Sequence, residues 1–438
     1  MIVDRAQIVA IGPSSSAFTQ IPSNAEVIDG TGKFLIPGLV DMHLHLLGAA
    51  EPTGSRDFIL PLLVANGVTT VRDMGGEVKF LKQLRKEIGE GKRLGPQIFF
   101  TGPYLDGDPP YFQPSIVIRN DVDAENAVKL LKSEGVDFIK VQSRLQPGPY
   151  FAIARAAREN GMRYVGHVPD SISALAASDA GQASIEHLTG VLLACSSRED
   201  ELRARQLAPS QMGNSAEQSS EQMRNWQRDL LNSYSPQKAA QLFQKFIANH
   251  TAQTPTLPLL IHLAYLTPES DLANDPRLKY IPGQLKKSWE RGRSAAFANQ
   301  SEPDFELRKK LAARSLALVK EMHDVGIQVM AGTDATAPNV FPGFGLHEDL
   351  YFMVMAGLTP MQALQAATSV PALFLGRASQ QGGIAVGQRA DLVLLDGNPL
   401  EDIRNTEKIQ AVILNGKLLD RRELDKLLLD AERFAVAH

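Results

Sequence analysis

The sequence predicts an α/β fold, in which a (β/α)8 TIM-type barrel is inserted into a small β-sandwich domain formed by both ends of the chain. Three observations favour this architecture. Short apolar segments alternate with longer amphipathic ones along the middle of the chain, which is typical of strands followed by helices. Several short segments are continuous apolar runs, as expected of strands buried on both faces of a parallel sheet. The two ends instead hold short strands with Asp-Gly and Asn-Gly turns, which indicate an antiparallel β unit.

The barrel is predicted to occupy residues 34–380. Its eight candidate strands cover residues 34–45, 68–72, 97–102, 138–142, 164–167, 184–187, 254–257 and 328–334. Clear amphipathic helices are predicted over residues 80–88, 124–133, 151–160 and 308–325. Gly135, Gly161 and Gly326 follow the ends of three of these helices, where glycine commonly stops a helix. Strands that alternate with helices in this way are typical of the eight-fold barrel.

The remaining segments flank or interrupt the barrel. Residues 1–33 and 381–422 are predicted to form the β-sandwich domain, with one N-terminal strand at 8–11 and another at 25–28. Residues 423–438 indicate a terminal amphipathic helix. Residues 197–250 are polar and longer than a usual barrel connection, so we expect a helical insertion that acts as a lid or an interface. A solvated excursion without function is the alternative.

Composition excludes several classes of protein. The 438 residues are 44% hydrophobic and 21% charged, as in globular proteins. With 45 basic and 49 acidic residues, the net charge of −4 argues against nucleic-acid binding. The chain contains no apolar run of about 18 residues, so no membrane span is predicted. No secretory signal is visible either. Cytoplasmic localisation is the default expectation. An exported form remains an alternative if the N-terminus is clipped. Whether the chain forms a homo-oligomer is also left open.

Histidines are the candidate metal ligands. The single cysteine, Cys195, excludes an intrachain disulfide and a cysteine-rich metal site. His43 and His45 stand at positions i and i+2 of the first predicted strand and so point to the same face. His167 and His187 each close a later strand. Barrel enzymes build their active sites at these strand ends, so the four histidines predict a site there. Of the other five histidines, His323 lies in a helical pattern that favours a packing or surface role, and His347 is expected to support the site or start a helix without binding a metal directly. No motif surrounds His250, His262 and His438.

Two further residues fit a metal site. Asp334 closes the eighth predicted strand, where it either caps the next helix or binds a metal and carries a proton. The nearby histidines favour the second role. Lys140 lies inside a strand that is predicted to be buried, although lysines are rarely buried without a partner. It either lies at an edge, with its ammonium group reaching solvent, or has a chemical role beside metal ions.

These residues resemble the metal ligands of the amidohydrolase superfamily. Residues 37–45 (PGLVDMHLH) are similar to its first-strand motif, and residues 382–395 to the segment that returns to its β-sandwich domain. Residues 356–368 are similar to the helix after its last strand. The later ligands match in order at Lys140, His167, His187 and residues 332–334 (GTD). The nearest subgroup is that of the imidazolonepropionase-like and Xaa-Pro dipeptidase-like enzymes.

The resemblance implies a binuclear centre of two divalent ions, with zinc as the expected metal. The implied ligands are His43, His45 and Asp334 for the more buried ion, and His167 and His187 for the second ion. Carbon dioxide would carboxylate Lys140, and the carbamate would bridge both ions. A hydroxide between the ions would attack the carbonyl of an amide-type C–N bond, and Asp334 would pass its proton to the leaving amine.

A dipeptide or an N-acyl amino acid is the expected small-molecule substrate. A mononuclear cyclic-amide hydrolase or deaminase, in which Lys140 is a spectator, stays open. So does a hydrolase of xenobiotic amides, carbamates or lactones. A non-catalytic scaffold is disfavoured, because all six ligand positions carry competent residues. The candidate substrate contacts are Tyr104, Tyr111, Arg144 and Phe344. Arg144 could hold a substrate carboxylate through paired hydrogen bonds, and the aromatic rings could line an apolar pocket.

Overall fold

A computed structural model describes residues 1–13, 25–46, 56–208, 216–267, 274–297 and 300–438. Within these ranges the strands are β1 (Ile2–Asp4), β2 (Gln7–Ala10), β3 (Phe34–Pro37), β4 (Leu39–Leu44), β5 (Val68–Asp73), β6 (Gln97–Phe100), β7 (Tyr104–Asp106), β8 (Ser115–Val117), β9 (Ile139–Val141), β10 (Tyr164–Gly166), β11 (Ser184–Glu186), β12 (Ala252–Thr254), β13 (Leu392–Leu395), β14 (Ile409–Leu414) and β15 (Lys417–Asp420). The helices are α1 (Arg56–Ala65), α2 (Val78–Gly89), α3 (Asp121–Ser133), α4 (Pro147–Glu159), α5 (Ala174–Asp179), α6 (Val191–Ala194), α7 (Glu199–Leu207), α8 (Ala216–Asn232), α9 (Pro236–Ala248), α10 (Leu257–Tyr265), α11 (Gly283–Phe297), α12 (Glu302–Asp324), α13 (Phe344–Met355), α14 (Pro360–Ala366), α15 (Ser369–Phe374) and α16 (Arg421–Ala437). Two short 3-10 helices cover Pro276–Tyr280 and Ile403–Glu407.

A four-stranded antiparallel sheet joins the two ends of the chain. Its order is β15-β14-β13-β3, so that one strand comes from the N-terminal part and three come from the C-terminal part. The hairpin β1–β2 docks beside it, where the Ile8 amide donates to the Gln388 carbonyl at 2.9 Å. Ile8 packs with Leu392 and Ile413. The strand expected at 25–28 is absent from this described segment, and Val27 there is 77% exposed, so no apolar burial holds it against a sheet.

The strand predicted over 34–45 is in fact two strands in different sheets. β3 pairs antiparallel with β13, whereas β4 pairs parallel with β5. Gly38 stands between β3 and β4 and donates its amide to the Asp391 carbonyl at 2.7 Å. A Cβ at this position would lie 2.2 Å from the Thr69 hydroxyl. The chain therefore crosses from one sheet to the other at a residue where only glycine fits.

The parallel strands form two sheets that contact each other at two places. Their orders are β4-β5-β6 and β12-β11-β10-β9-β7-β8. On one side, the Asp137 amide donates to the Phe100 carbonyl at 2.9 Å. On the other side, residues 328–335 make isolated parallel bridges, Gln253 with Val329 and Leu44 with Ala335. The predicted eighth strand therefore makes isolated β-bridges and does not form a continuous hydrogen-bonded ladder with its neighbours.

The predicted helices over 80–88, 124–133, 151–160 and 308–325 are confirmed as α2, α3, α4 and α12, with shifted ends. α12 starts earlier than predicted, because Ser301 and Asp304 form a capping box there. The polar segment over 197–250 contains α7, α8 and α9. The seventh strand lies at Ala252–Thr254 and not at 254–257. Thr256 has a left-handed backbone with φ 51°, and α10 begins directly after it.

The C-terminal helix α16 packs against the body of the protein. Asp420 caps its N-terminus in a capping box with Glu423. Leu424 is fully buried, and the Phe434 ring stacks on Phe58 of α1 with centroids 5.9 Å apart. Helix α16 is therefore part of the main hydrophobic core. Across the described ranges, no helix combines the length and apolar character needed to cross a membrane.

We expect Leu424→Ala to lower the free energy of unfolding by about 2–5 kcal/mol, because it leaves a cavity in a fully buried position. Leu429 lies on the same helix but is 43% exposed, so Leu429→Ala should change that free energy by less than about 0.5 kcal/mol. Urea denaturation followed by circular dichroism measures both variants. Equal losses would contradict the packing of α16 described above.

Candidate metal centre

The four histidines singled out from the sequence lie together at the C-terminal ends of parallel strands. His43 is near the end of β4 and His45 follows it, while His167 and His187 directly follow β10 and β11. The ring of His187 is 4.5 Å from that of His43 and 4.9 Å from that of His167, centroid to centroid. His43 and His45 are 5.5 Å apart. The four imidazoles therefore form one cluster.

Asp334 joins the cluster from the segment after the eighth predicted strand. Its Oδ1 lies 3.0 Å from His45 Nε2 and 3.3 Å from His43 Nε2. One ligand atom each from His43, His187 and Asp334 lie within 4.8 Å of one another. Burial raises the pKa of Asp334, but hydrogen bonds from His43 and His45 outweigh it and hold that pKa well below its usual range. Asp334 is therefore a carboxylate.

Each of the four histidines is held by the protein through the same ring atom, Nδ1. The contacts are His43 to Glu186 Oε2 at 2.8 Å, His45 to the Gly75 carbonyl at 3.4 Å, His167 to Ser143 Oγ at 2.8 Å and His187 to Thr256 Oγ1 at 2.6 Å. Among the described residues, Asp334 is the only partner of any Nε2 atom in this cluster. Histidines that bind metals are commonly oriented in this way, with the second nitrogen fixed by a protein acceptor.

Lys140 is the central residue of β9 and is only 1% exposed, which excludes a solvent-exposed edge position. Its side chain passes Gly166, where an added Cβ would come 3.0 Å from Lys140 Cδ. In the described ranges, no hydrogen-bond acceptor or ion-pair partner reaches its Nζ. Burial lowers the pKa of Lys140 to about 8, although the nearby Glu186 and Asp334 carboxylates oppose this. The amine is thus buried, unpartnered and partly neutral near neutral pH.

Arg72 and Glu186 form a buried ion pair behind the histidines, and the sequence analysis missed both residues. The two side chains are 0% exposed, and Arg72 Nη2 lies 3.0 Å from Glu186 Oε1. Arg72 Nε also donates to the Met42 carbonyl at 2.7 Å. Burial would raise the pKa of Glu186, but Arg72 and His43 hold it well below its usual range. Arg72 offered the same signal as Lys140, a basic residue inside an apolar strand.

Asp41 connects the first strand to the segment that carries Asp334. It accepts hydrogen bonds from the His43 amide at 3.1 Å, the Thr333 amide at 3.1 Å and the Thr333 hydroxyl at 2.7 Å. Burial raises the pKa of Asp41 to about 7 despite these bonds. Gly332 permits the approach, because a Cβ there would lie 2.9 Å from the His43 amide nitrogen. Asp334 itself has φ 62°, a strained conformation that such contacts must hold.

Three of the four candidate substrate residues lie on one side of the cluster. The Tyr104 hydroxyl is 3.4 Å from His45 Nδ1. An aromatic path leads outward through Phe112 and the exposed Tyr111, over which the Arg144 guanidinium lies at 5.0 Å. Phe344 instead opens α13 and stacks on Tyr280 at 5.7 Å. Its role in substrate binding stays a prediction.

The other histidines lie outside the cluster. His347 is buried, but its two ring nitrogens contact the Thr406 hydroxyl at 3.0 Å and the Asn66 carbonyl at 3.1 Å. His438 stacks on Phe434. The single cysteine, Cys195, is buried and free, and burial raises the pKa of its thiol to about 12. None of these groups adds a ligand to the candidate site.

Known proteins resemble this chain over most of its length. A model of the amidohydrolase family matches residues 34–419. Ochratoxinase from Aspergillus niger is 23% identical over 411 residues, which cover 86% of this chain and 73% of that protein. Among solved structures, bottromycin amidohydrolase superposes with a TM-score of 0.72 at 23% identity, over 92% of this chain and 81% of that chain. A Xaa-Pro dipeptidase with methionine bound in its active site gives a TM-score of 0.62 at 20% identity, over 95% and 94%.

The structural similarities establish the shared fold, and the family match spans both the parallel sheets and most of the four-stranded sheet. The family is generally metal-dependent, in agreement with the cluster of histidines around Asp334. The chain therefore belongs to the amidohydrolase family and is a hydrolase of amide-type C–N bonds.

Proposed function

We propose that this chain is a binuclear, zinc-dependent amidohydrolase that cleaves a dipeptide or an N-acyl amino acid. The observation that carries the proposal is the common orientation of the four histidines. Each ring is anchored through Nδ1, so that Nε2 is left to bind a metal. The unpartnered amine of Lys140 lies in the same cluster.

The donor set fits two zinc ions. Zinc–nitrogen and zinc–oxygen bonds of about 2.0–2.2 Å place two donors of one ion roughly 3–4 Å apart. Asp334 Oδ1 lies 3.0 and 3.3 Å from its two histidine nitrogens, within that spacing. Burial and the neighbouring Lys140 lower the pKa of His167, and burial lowers that of His187 to about 3, so both imidazoles are neutral. The proposed ligands are His43, His45 and Asp334 for one ion, His167 and His187 for the other, and Lys140 for both.

After carboxylation, Lys140 would be a ligand of both ions. Its neutral amine adds to carbon dioxide, an Nζ–C bond forms and one proton leaves, which yields a carbamate anion. The lowered pKa of about 8 increases the fraction of neutral amine available for this step. Carboxylation also resolves the burial problem, because an unpaired buried ammonium becomes an oxygen ligand. A mononuclear enzyme would leave Lys140 buried without a partner or a role.

When bound, two zinc ions supply a hydroxide nucleophile at neutral pH and polarise the substrate carbonyl. Asp334 starts as a carboxylate, accepts a proton at an oxygen atom and delivers it to the nitrogen of the leaving amine. The Tyr104 hydroxyl stays protonated, since burial raises its pKa well above the usual range. It is therefore a hydrogen-bond donor at the edge of the site, beside His45.

Arg144 is the proposed contact for the substrate carboxylate. It directly follows Ser143, which holds His167, and so lies at the mouth of the site. Its guanidinium donates to the Pro109 carbonyl at 3.0 Å and rests on the Tyr111 ring. No carboxylate of the described residues pairs with it. It can therefore donate hydrogen bonds to the carboxylate of a dipeptide or an N-acyl amino acid without breaking an existing ion pair.

The proposal also includes the architecture. We propose that residues 34–380, apart from β3, which pairs in the four-stranded sheet, form a closed (β/α)8 barrel, with bridges at residues 328–335 completing the ring. Residues 1–33 and 381–422 would form the β-sandwich domain around it, with residues 423–438 as a C-terminal helix. The helices over 197–250 would be an insertion of the barrel.

Removal of the Lys140 amine tests the binuclear centre. We expect Lys140→Ala to bind fewer than two metal ions per chain and to lower kcat/KM by more than about 100-fold, because it removes a shared ligand. Lys129 is an exposed lysine on α3 that pairs with Glu125, so Lys129→Ala should keep both ions and full activity. Elemental analysis and a dipeptide assay measure the two effects. Full activity of Lys140→Ala with two ions bound would refute the carbamate bridge.

The buried pair behind His43 should show strong coupling. Arg72→Met and Glu186→Leu each leave one buried charge unpaired, so each should lower the free energy of unfolding by about 3–5 kcal/mol. The double variant should lose less than either single variant. The exposed pair Lys82–Glu134 is the control, with an expected coupling of about 0–1 kcal/mol. Losses that simply add in the buried pair would contradict this interaction.

The role of Arg144 can be tested on matched substrates. The wild type should prefer an N-acyl amino acid over its C-terminal amide by about 10–100-fold in kcat/KM, as expected of a charge-assisted hydrogen bond. Arg144→Gln should abolish this preference. Arg155→Gln, on the outer helix α4 where Arg155 pairs with Asp121, should keep it. If Arg144→Gln retains the preference, another group binds the substrate carboxylate.

A further inference from the structure

A cavity lies away from the metal centre, between α2, the start of β6 and the four-stranded sheet. Its volume is about 590 Å³, within the roughly 300–1,000 Å³ that is usual for small-molecule sites. Gln97 is the first residue of β6 and lines the cavity. The histidine cluster lies at the C-terminal ends of the parallel strands. The cavity is therefore at the opposite end of the sheet from the proposed active site.

Basic side chains outnumber acidic ones in the lining of the cavity. They are Arg85, Arg93, Arg377, Arg389 and Lys417, against the single acid Asp137. Three of them have carboxylate partners: Arg85 with Asp137 at 2.8 Å, Arg93 with Asp57 at 2.8 Å, and Arg389 with Asp391. Arg377 and Lys417 have no carboxylate partner in the part of the chain that the structure describes. Two cations at the cavity therefore lack an ion-pair partner, although the charge of Arg377 also acts on Asp137 from a longer distance.

The cavity also holds a donor and an acceptor without hydrogen bonds. Arg377 Nε and Gln97 Oε1 are both buried, and neither has a partner among the described residues. Arg377 otherwise contacts only neutral groups, the Gln380 side-chain oxygen at 3.3 Å and the Phe99 ring. Buried polar atoms are usually satisfied. A ligand that carries both an acceptor and a donor would satisfy both atoms.

The last turn of α2 also borders the cavity, and the negative end of its dipole could repel an anion. Its carbonyl oxygens are already engaged, however. The Ile88 carbonyl accepts the Gly91 amide at 3.0 Å, and the Glu87 carbonyl accepts the Lys92 amide at 2.9 Å. Arg85 lies in the same helix and contributes a positive charge to the lining. The helix end therefore does not oppose a bound anion strongly.

We propose that this cavity binds a phosphate monoester that also carries hydroxyl groups, such as a sugar phosphate. Such a phosphate bears about −1.5 to −2 charges near pH 7, which suits the two cations that lack an ion-pair partner. Its oxygens accept hydrogen bonds from Arg377 Nε and Lys417 Nζ, while a hydroxyl donates to Gln97 Oε1. A monocarboxylate carries only one charge and would leave one of these cations without an ion-pair partner. Because the lining comes from α2, β6 and the four-stranded sheet, the bound molecule would hold these elements together.

The test is calorimetric titration of the full-length, metal-loaded chain with glucose 6-phosphate, inorganic phosphate and glucose at constant ionic strength. We expect one glucose 6-phosphate per chain, at least tenfold weaker binding of inorganic phosphate and no binding of glucose. Arg377→Gln and Lys417→Gln should each weaken glucose 6-phosphate at least tenfold. Lys92→Gln is the matched control, since Lys92 is a nearby exposed cation outside the lining that pairs with Glu90.

A lack of glucose 6-phosphate binding to the wild type would overturn the proposal. Binding that Lys417→Gln leaves unchanged would place the phosphate elsewhere, for example at the metal centre, and would overturn it as well. Equal affinities for inorganic phosphate and glucose 6-phosphate would overturn the hydroxyl contact at Gln97. Lys417 is exposed on β15, so Lys417→Gln should fold even if Arg377→Gln does not.

Discussion

The buried ion pair of Arg72 and Glu186 is the interaction on which the centre depends. Arg72 extends from β5 into the interior and contacts three other strands: the Met42 carbonyl of β4, Ser184 and Glu186 of β11, and Thr254 of β12. Glu186 uses its second oxygen to hold His43. Burying two charges away from solvent costs free energy unless all their hydrogen bonds are made within the protein. This pair meets that condition, and in doing so it fixes the strands that carry His43 and His187.

Arg72 and Lys140 show how two buried basic residues can differ. A guanidinium stays charged in proteins and forms several directed hydrogen bonds, so it suits a permanent structural role. An amine can lose its proton when it is buried, and Lys140 has a lowered pKa and no partner. The protein thus places the permanent cation behind the histidines and the amine among them. The chemical difference between the two residues matches the difference in their surroundings.

The sequence was sufficient to predict which side chains cluster at the strand ends, because their positions depend on local rules. His43 and His45 share a face through their spacing, and His167, His187 and Asp334 follow apolar runs. The contacts that orient them depend on residues far away in sequence, such as His43 with Glu186, 143 positions apart. The division of the first strand at Gly38 also depended on a distant partner, since β3 pairs with β13. Phe344 looked available in its loop, but Tyr280 packs against it.

One peptide carbonyl, that of His43, has two structural roles in this fold. The His43 carbonyl accepts the amides of Thr333 and Asp334 at 3.0 and 2.6 Å, and Asp41 binds Thr333 across 292 positions of sequence. These hydrogen bonds join the beginning and the end of the parallel sheets, and they also hold the segment that carries the Asp334 carboxylate. A growing chain that has not yet released residue 334 from the ribosome has neither these hydrogen bonds nor the carboxylate. Under the proposed mechanism, a chain that ends before residue 334 lacks a proposed metal ligand and is therefore inactive.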